Sequence, residues 1–173
     1  MAPSPTAGLV FTETQWFYRR WWWLILSLSI LLLAPLALVF NKLQGPKVVA
    51  VTIPLLLVVL IGLCFMKLTV RVDAIGIHYH YPPVLTKWRH WPWSEFRQVF
   101  PRSYSPFGDY GGWGIRGLPG NLAYNVWGPA GLQLIFRSGN RLLLGTQQPA
   151  ELQEVLAALH ATNRTLPITL SGS

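Results

Sequence analysis

Leu68-Thr69-Val70-Arg71-Val72-Asp73-Ala74-Ile75-Gly76-Ile77-His78-Tyr79-His80-Tyr81 decides the fold. Apolar or aromatic residues alternate with polar ones on both sides of Asp73-Ala74-Ile75-Gly76, a run suited to a tight turn. That pattern predicts two paired strands, Leu68–Val72 and Ile77–Tyr81. Pro82-Pro83 ends the second. Outward toward the C-terminus, the same short period predicts strands over Thr86–Trp91 and Phe96–Arg102. Shorter ones follow at Trp113–Gly117 and Leu122–Val126, then a hairpin from Leu132–Arg137 to Arg141–Leu144 around Ser138-Gly139-Asn140. Pro149 and Glu151 suit the first turn of a helix in which Leu152, Val155, Leu156 and Leu159 form one apolar stripe.

Outward toward the N-terminus the texture changes. Trp21–Phe40 and Val48–Met66 carry no charge, and each is long enough as a helix to match a hydrocarbon core of about 30 Å. They are joined by Asn41-Lys42-Leu43-Gln44-Gly45-Pro46-Lys47 and predict a transmembrane hairpin. Neither run holds an ionisable residue of the kind that marks transport pathways, which argues for an anchor over a channel. Arg19, Arg20, Trp21, Trp22, Trp23 and Lys67 flank the hairpin as interfacial anchors, since amphipathic rings and snorkelling cations gather at headgroup level. Arg19, Arg20, Lys67 and Arg71 outnumber Lys42 and Lys47, which predicts both termini in the cytoplasm. The expected division is a lead-in and interfacial segment over 1–20, the hairpin over 21–66, a β domain with its helix over 67–162, and a flexible tail over 163–173.

Half of the 173 residues are apolar and the net charge is +8. Residues 67–173 hold ten Lys/Arg against five acids. This bias suits an anionic membrane surface or an acidic partner and is too mild for a nucleic-acid arm. The single cysteine, Cys64, allows no intrachain disulfide.

Three further stretches carry a resemblance. Pro92-Trp93-Ser94-Glu95-Phe96, Tyr110-Gly111-Gly112-Trp113-Gly114-Ile115-Arg116 and Leu144-Gly145-Thr146-Gln147-Gln148-Pro149 resemble bacterial membrane-anchored pleckstrin-homology-like proteins. The resemblance implies a membrane-anchored α+β chain. Its transmembrane hairpin would precede an antiparallel β barrel or sandwich of about seven strands, closed by a C-terminal helix. It also implies a binding or scaffolding module and supplies no catalytic residues.

The candidate sites are few. Gly112-x-Gly114-x-x-Gly117 has dinucleotide-fingerprint spacing but is followed by Pro119-Gly120 and more β pattern, where a helix start is required. Ser94-Glu95 reads as a turn cap with no G-x-S-x-G context. His78, His80 and His90 could bind zinc, but no Cys or carboxylate cluster completes a site in the sequence. No metal, cofactor or catalysis is therefore expected. The most suggestive patch is Lys87-Trp88-Arg89-His90-Trp91-Pro92-Trp93. On a strand, Lys87, Arg89 and Trp91 share one face and Trp88 and His90 the other. Arg97, Arg102 and Arg116 would extend it. The expected role is protein interaction or scaffolding with another membrane protein or a second copy. The alternative is recognition of anionic lipid headgroups by that strip.

Overall fold

The computed structural model describes residues 10–23, 26, 27, 29–31 and 45–170. Two compact units divide the chain, residues 16–66 and residues 1–15 with 67–173.

Among the described residues of the β unit, nine strands form two sheets. One contains β1 (Phe11–Trp16), β2 (Lys67–Val72), β3 (Gly76–Tyr81) and β4 (Leu85–Pro92) in the order β1-β2-β3-β4. The other contains β5 (Phe96–Ser103), β6 (Gly114–Leu118), β7 (Asn121–Asn125), β8 (Ala130–Phe136) and β9 (Arg141–Gly145) in the order β5-β8-β9-β7-β6. The fold is α+β with a C-terminal helix, and the sheets do not close into a barrel.

The strands expected after Leu68 are all present, and Asp73 makes the expected turn. Its Oδ1 accepts the amides of Ile75 at 2.9 Å and Gly76 at 3.1 Å. That turn sets the β2–β3 register, in which Val70 faces Tyr79 and Val72 faces Ile77. All four are buried.

Three features differ from the sequence expectation. First, Phe11–Trp16 lies in the segment expected to be a lead-in, yet it forms an edge strand beside β2. Its inward side chains are Phe11, Glu13 and Gln15, only one of them apolar, so the alternation carries little hydrophobic signal. Secondly, the second sheet is mixed. The β8–β9 hairpin returns between β8 and β7, which leaves β7 and β9 parallel. Thirdly, part of the expected tail is tied down. The Val99 amide donates to Pro167 O at 2.7 Å, the Thr169 amide donates to Val99 O at 2.9 Å, and Ile168 is buried.

The core lies between the sheets and beneath the last helix. Leu68, Val70 and Ile77 come from the first sheet and Phe96, Leu132 and Leu134 from the second. Tyr79 and Tyr124 meet at 5.5 Å between ring centres, and Trp91 meets Phe136 edge-on at 5.0 Å. The Tyr81 hydroxyl donates to Asn125 O at 3.2 Å and the Trp93 indole N–H to Asp73 O at 3.0 Å. These bonds satisfy the polar ends of rings that are otherwise buried. A second cluster of Tyr104, Tyr110, Ala123 and Leu143 lies on the other face of the five-stranded sheet. The three-residue run Leu142-Leu143-Leu144 is buried throughout because both faces of that sheet are covered.

Gly117 has φ near 100°, and a Cβ there would collide with the Asn121 carbonyl, so the β6–β7 hairpin requires glycine at this position. This is the structural use of the glycine run, and β7 follows it in place of a helix.

In the other unit the backbone is helical at 17–23, 26, 27 and 29–31, and helix α1 spans Gly45–Phe65 with side chains described from Ile53. The Phe17 amide donates to Met66 O at 3.0 Å, which brings the two ends of this unit together. Among the described residues no helix is long and apolar enough to cross a membrane. Most of the first expected span and the connecting residues 41–44 lie outside the described residues, as do the side chains at the start of the second.

Two further helices belong to the β unit. Helix α2 (Pro106–Tyr110) is capped by Ser105, whose Oγ accepts the Gly108 amide at 3.1 Å. Helix α3 (Pro149–Thr162) has Glu151 in its first turn and buries Leu152, Leu156 and Leu159, the stripe expected from the spacing.

Candidate interaction edge and aromatic cleft

A sheet edge can accept another strand, so each edge of the two sheets matters. The edge of β5 carries the 167–169 strap. The edge of β6 is bent by Gly114 and Gly117, both at positive φ. At β1, the inward side chains are engaged with the start of α3 and the end of β9. Glu13 accepts from Thr146 Oγ1 at 2.6 Å and the Gln147 amide at 2.8 Å, and Gln15 Nε2 donates to Gly145 O at 2.7 Å. Burial pushes the Glu13 carboxyl above its ordinary pKa, and the hydrogen bonds from Thr146 and Gln147 only partly oppose this. At β4, eight residues long, β3 is the only ladder neighbour among the described strands.

The two faces of β4 differ in chemistry, as the alternation predicts. Register places Arg89 opposite Tyr79 and Trp91 opposite Ile77, on the face turned toward the second sheet. His90 lies opposite His78 on the outer face, and Trp88 stacks on His80 at 4.2 Å. Lys87, Trp88 and Arg89 are exposed, while Trp91 is half-buried. The strip is therefore part core and part surface. Its cations and Trp88 point to opposite sides of the sheet.

Beside the inward face of β4 is a cavity of about 210 Å³. Tyr79, Trp91, Leu122, Tyr124, Phe136 and Leu142 supply apolar surface, while Glu95, Ser138, Asn140 and Arg141 supply polar groups. Burial raises the pKa of both Tyr79 and Tyr124. The Trp91 indole and Arg89 charge oppose this at Tyr79, and Arg89 opposes it at Tyr124. Both phenols remain neutral donors at physiological pH, in a cavity that mixes aromatic surface with directed polar groups.

The remaining candidate cations are dispersed. Arg97 and Arg102 are on β5, whereas Arg116 is on β6 at the opposite edge of the same sheet. Four strand spacings of about 4.8 Å separate those edges. Arg102 pairs with Asp109 at 3.2 Å, and Arg116 Nε donates to Trp113 O at 3.0 Å. Lys87, Trp88, Arg89 and Trp91 share β4, and none of Arg97, Arg102 and Arg116 lies on that strand. Among the proposed interfacial residues, Arg19, Arg20, Trp22 and Trp23 are exposed, Trp21 stacks on Phe17 at 5.7 Å, and Lys67 opens β2.

Sequence reasoning missed the cleft's far wall, because Leu122, Tyr124, Phe136 and Leu142 read only as strand positions. It also missed Asp73 as a neighbour of His78, with Oδ2 3.2 Å from Nε2. Burial opposes the Asp73 charge, but the Ile75 and Gly76 amides and His78 outweigh it and hold the carboxyl below its usual pKa.

No protein-family model, curated protein or solved structure matches this chain.

Proposed function

We propose that this chain is a membrane-anchored, pleckstrin-homology-like interaction module that captures an extended segment of another protein along β4. The observation that carries the reading is the eight-residue edge of β4, unpaired on its outer side among the described strands, beside an aromatic cavity. An added strand would use main-chain hydrogen bonds for affinity and place alternate side chains over the cavity for specificity. Lys87, Arg89 and Arg141 are exposed near it, which favours a segment carrying acidic residues around an aromatic or aliphatic anchor. The same cations discourage pairing with a second β4 edge, a usual protection against self-association.

Support for the anchor comes from α1. Leu55, Val58 and Phe65 are 62%, 67% and 65% exposed, and the sequence is uncharged from Val48 to Met66. A helix apolar on all sides calls for an apolar surrounding. Because β1 and β2 are neighbours in one sheet, the intervening residues would enter and leave a bilayer on one side, which suits two spans, while the Lys/Arg balance alone favours the cytoplasmic side. Support for the pleckstrin-homology-like reading comes from the four-stranded sheet, the second sheet and the terminal helix. The parallel β7–β9 pair and the two extra strands depart from the family pattern.

Site-specific photo-crosslinking of the full chain in its native membrane tests the reading. A benzophenone side chain at Thr86 or Trp88 is expected to trap a discrete partner, whereas one at Arg116 on β6 is not. Equal trapping at both edges, or none at β4, would reject β4 as the acceptor.

A further inference from the structure

His78 and His90 are direct cross-strand partners on the outer face of the four-stranded sheet. Their rings stack at 4.3 Å and their Nδ1 atoms are 3.1 Å apart. Two imidazole nitrogens at this separation share either one proton or one cation. With metal–nitrogen bonds of about 2.0–2.1 Å, a separation of 3.1 Å subtends roughly 100° at a common ion. That angle falls between the octahedral and tetrahedral ideals, so the spacing of the two nitrogens suits a single ion once the stacked rings turn to converge their lone pairs.

The surroundings prepare one of the two rings. Asp73 Oδ2 sits 3.2 Å from His78 Nε2, at the ring nitrogen remote from His90. The buried Nε2 does not meet hydrogen-bond geometry to this carboxylate, but the negative charge beside it favours a proton on Nε2 and so a lone pair on Nδ1. Asp73 is itself fixed by the Ile75 and Gly76 amides and by Arg71 Nε at 3.2 Å.

We propose that His78 and His90 form a two-imidazole site for a divalent transition-metal ion of the zinc, copper or nickel class, with Asp73 as a positioning residue. Imidazole suits these metals, and hard oxygen-seeking cations are not favoured. Among the described residues no group of three His, Cys, Asp or Glu side chains is placed to hold an ion, so water or an exchangeable ligand takes the remaining positions. On binding, the exposed His90 ring moves its proton from Nδ1 to Nε2. The rings, now 29° from parallel, turn about χ2 to aim their lone pairs inward, along a torsion with a broad minimum. His80 is placed differently, stacked on Trp88, and is not a ligand.

Copper(II) added to the full untagged chain in detergent micelles, read by electron paramagnetic resonance, tests this site. The expected spectrum shows coupling to two nitrogens. It is lost in His78→Gln and His90→Gln, kept in His80→Gln and His160→Gln, and reversed by competing zinc. Asp73→Asn is expected to weaken copper binding tenfold or more while keeping the two-nitrogen signature. His90 is exposed, so its variant should fold, as circular dichroism will show, and the test does not depend on Asp73→Asn folding. A wild-type spectrum without paired nitrogens, or one unchanged in folded His90→Gln, would overturn the assignment and leave the pair as a shared-proton contact only.

Discussion

Glu13 Oε2 accepts a 2.6 Å hydrogen bond from Thr146 Oγ1, joining positions 133 residues apart in the chain. The same hydroxyl accepts the Gln148 amide at 3.0 Å, so one threonine links β1 to the entrance of α3. Glu13→Ala leaves the Gln147 amide without its acceptor and is expected to cost about 1–3 kcal/mol in denaturant unfolding. Glu13→Gln keeps an acceptor there and should cost less.

The pH dependence of Glu13 has a defined sign. Its folded pKa is raised, so the folded state holds more protons than the unfolded state between the ordinary carboxylate value and that raised value. Its contribution to stability is full below the ordinary value and is lost as pH rises through the raised pKa. Urea titrations at stepped pH should show this decline in the wild type and a flatter profile in Glu13→Gln.

Replacement of residues 18–65 by a short Gly-Ser linker should give a folded β unit, because Phe17 and Met66 are already hydrogen-bonded. A chain starting at Lys67 lacks buried Phe11 and the Glu13 and Gln15 bonds, and should unfold at a clearly lower temperature. Differential scanning calorimetry of the two proteins checks this. Equal melting temperatures would mean that β1 adds nothing.

Leu122→Trp is expected to fill much of the cavity beside β4 while leaving the fold intact. Partner capture by a photo-crosslinker at Trp88 should drop at least tenfold, with little change in melting temperature. Undiminished capture would show that the partner does not use the cavity.

Gly117→Ala forces a side chain into left-handed backbone and against the Asn121 carbonyl. The expected loss is about 1–3 kcal/mol, with faster amide exchange concentrated in β6 and β7. Hydrogen-exchange mass spectrometry measures both the size and the place of the effect.

Lys87→Ala, Arg89→Ala and Arg116→Ala should each alter anionic-vesicle binding of the linker-closed β unit by no more than about 1 kcal/mol, and additively. A cooperative collapse from any single change would revive a convergent headgroup site, which the placement of Lys87 and Arg89 on β4 and Arg116 on β6 of the other sheet disfavours.

Much of the β unit was legible because its strands write their burial locally. Val70, Val72, Ile77, Tyr79 and Tyr81 alternate with more polar neighbours, and Leu152, Leu156 and Leu159 keep helical spacing. Phe11–Trp16 was not legible, since Glu13 and Gln15 face inward and find their partners at Thr146, Gln147 and Gly145. No local pattern announces a bond across 130 residues. The β4 strip was half legible: alternation separates Lys87 and Arg89 from Trp88, but only the tertiary fold shows which side meets the second sheet. The cavity wall and the Asp73–His78 contact depend on long-range packing and turn geometry in the same way.

The placement of β1 also sets an order of events. It is synthesised before the other described strands, yet its neighbour β2 appears only after the whole of residues 17–66 has been made. Its anchors on Thr146 and Gln147 come later still. During synthesis this strand must wait, unpaired, while the rest of its sheet is assembled. Closing so long a loop late ties completion of the β unit to prior settling of the intervening segment, so a chain in which residues 17–66 fail to settle should be left with an open sheet edge beside β2.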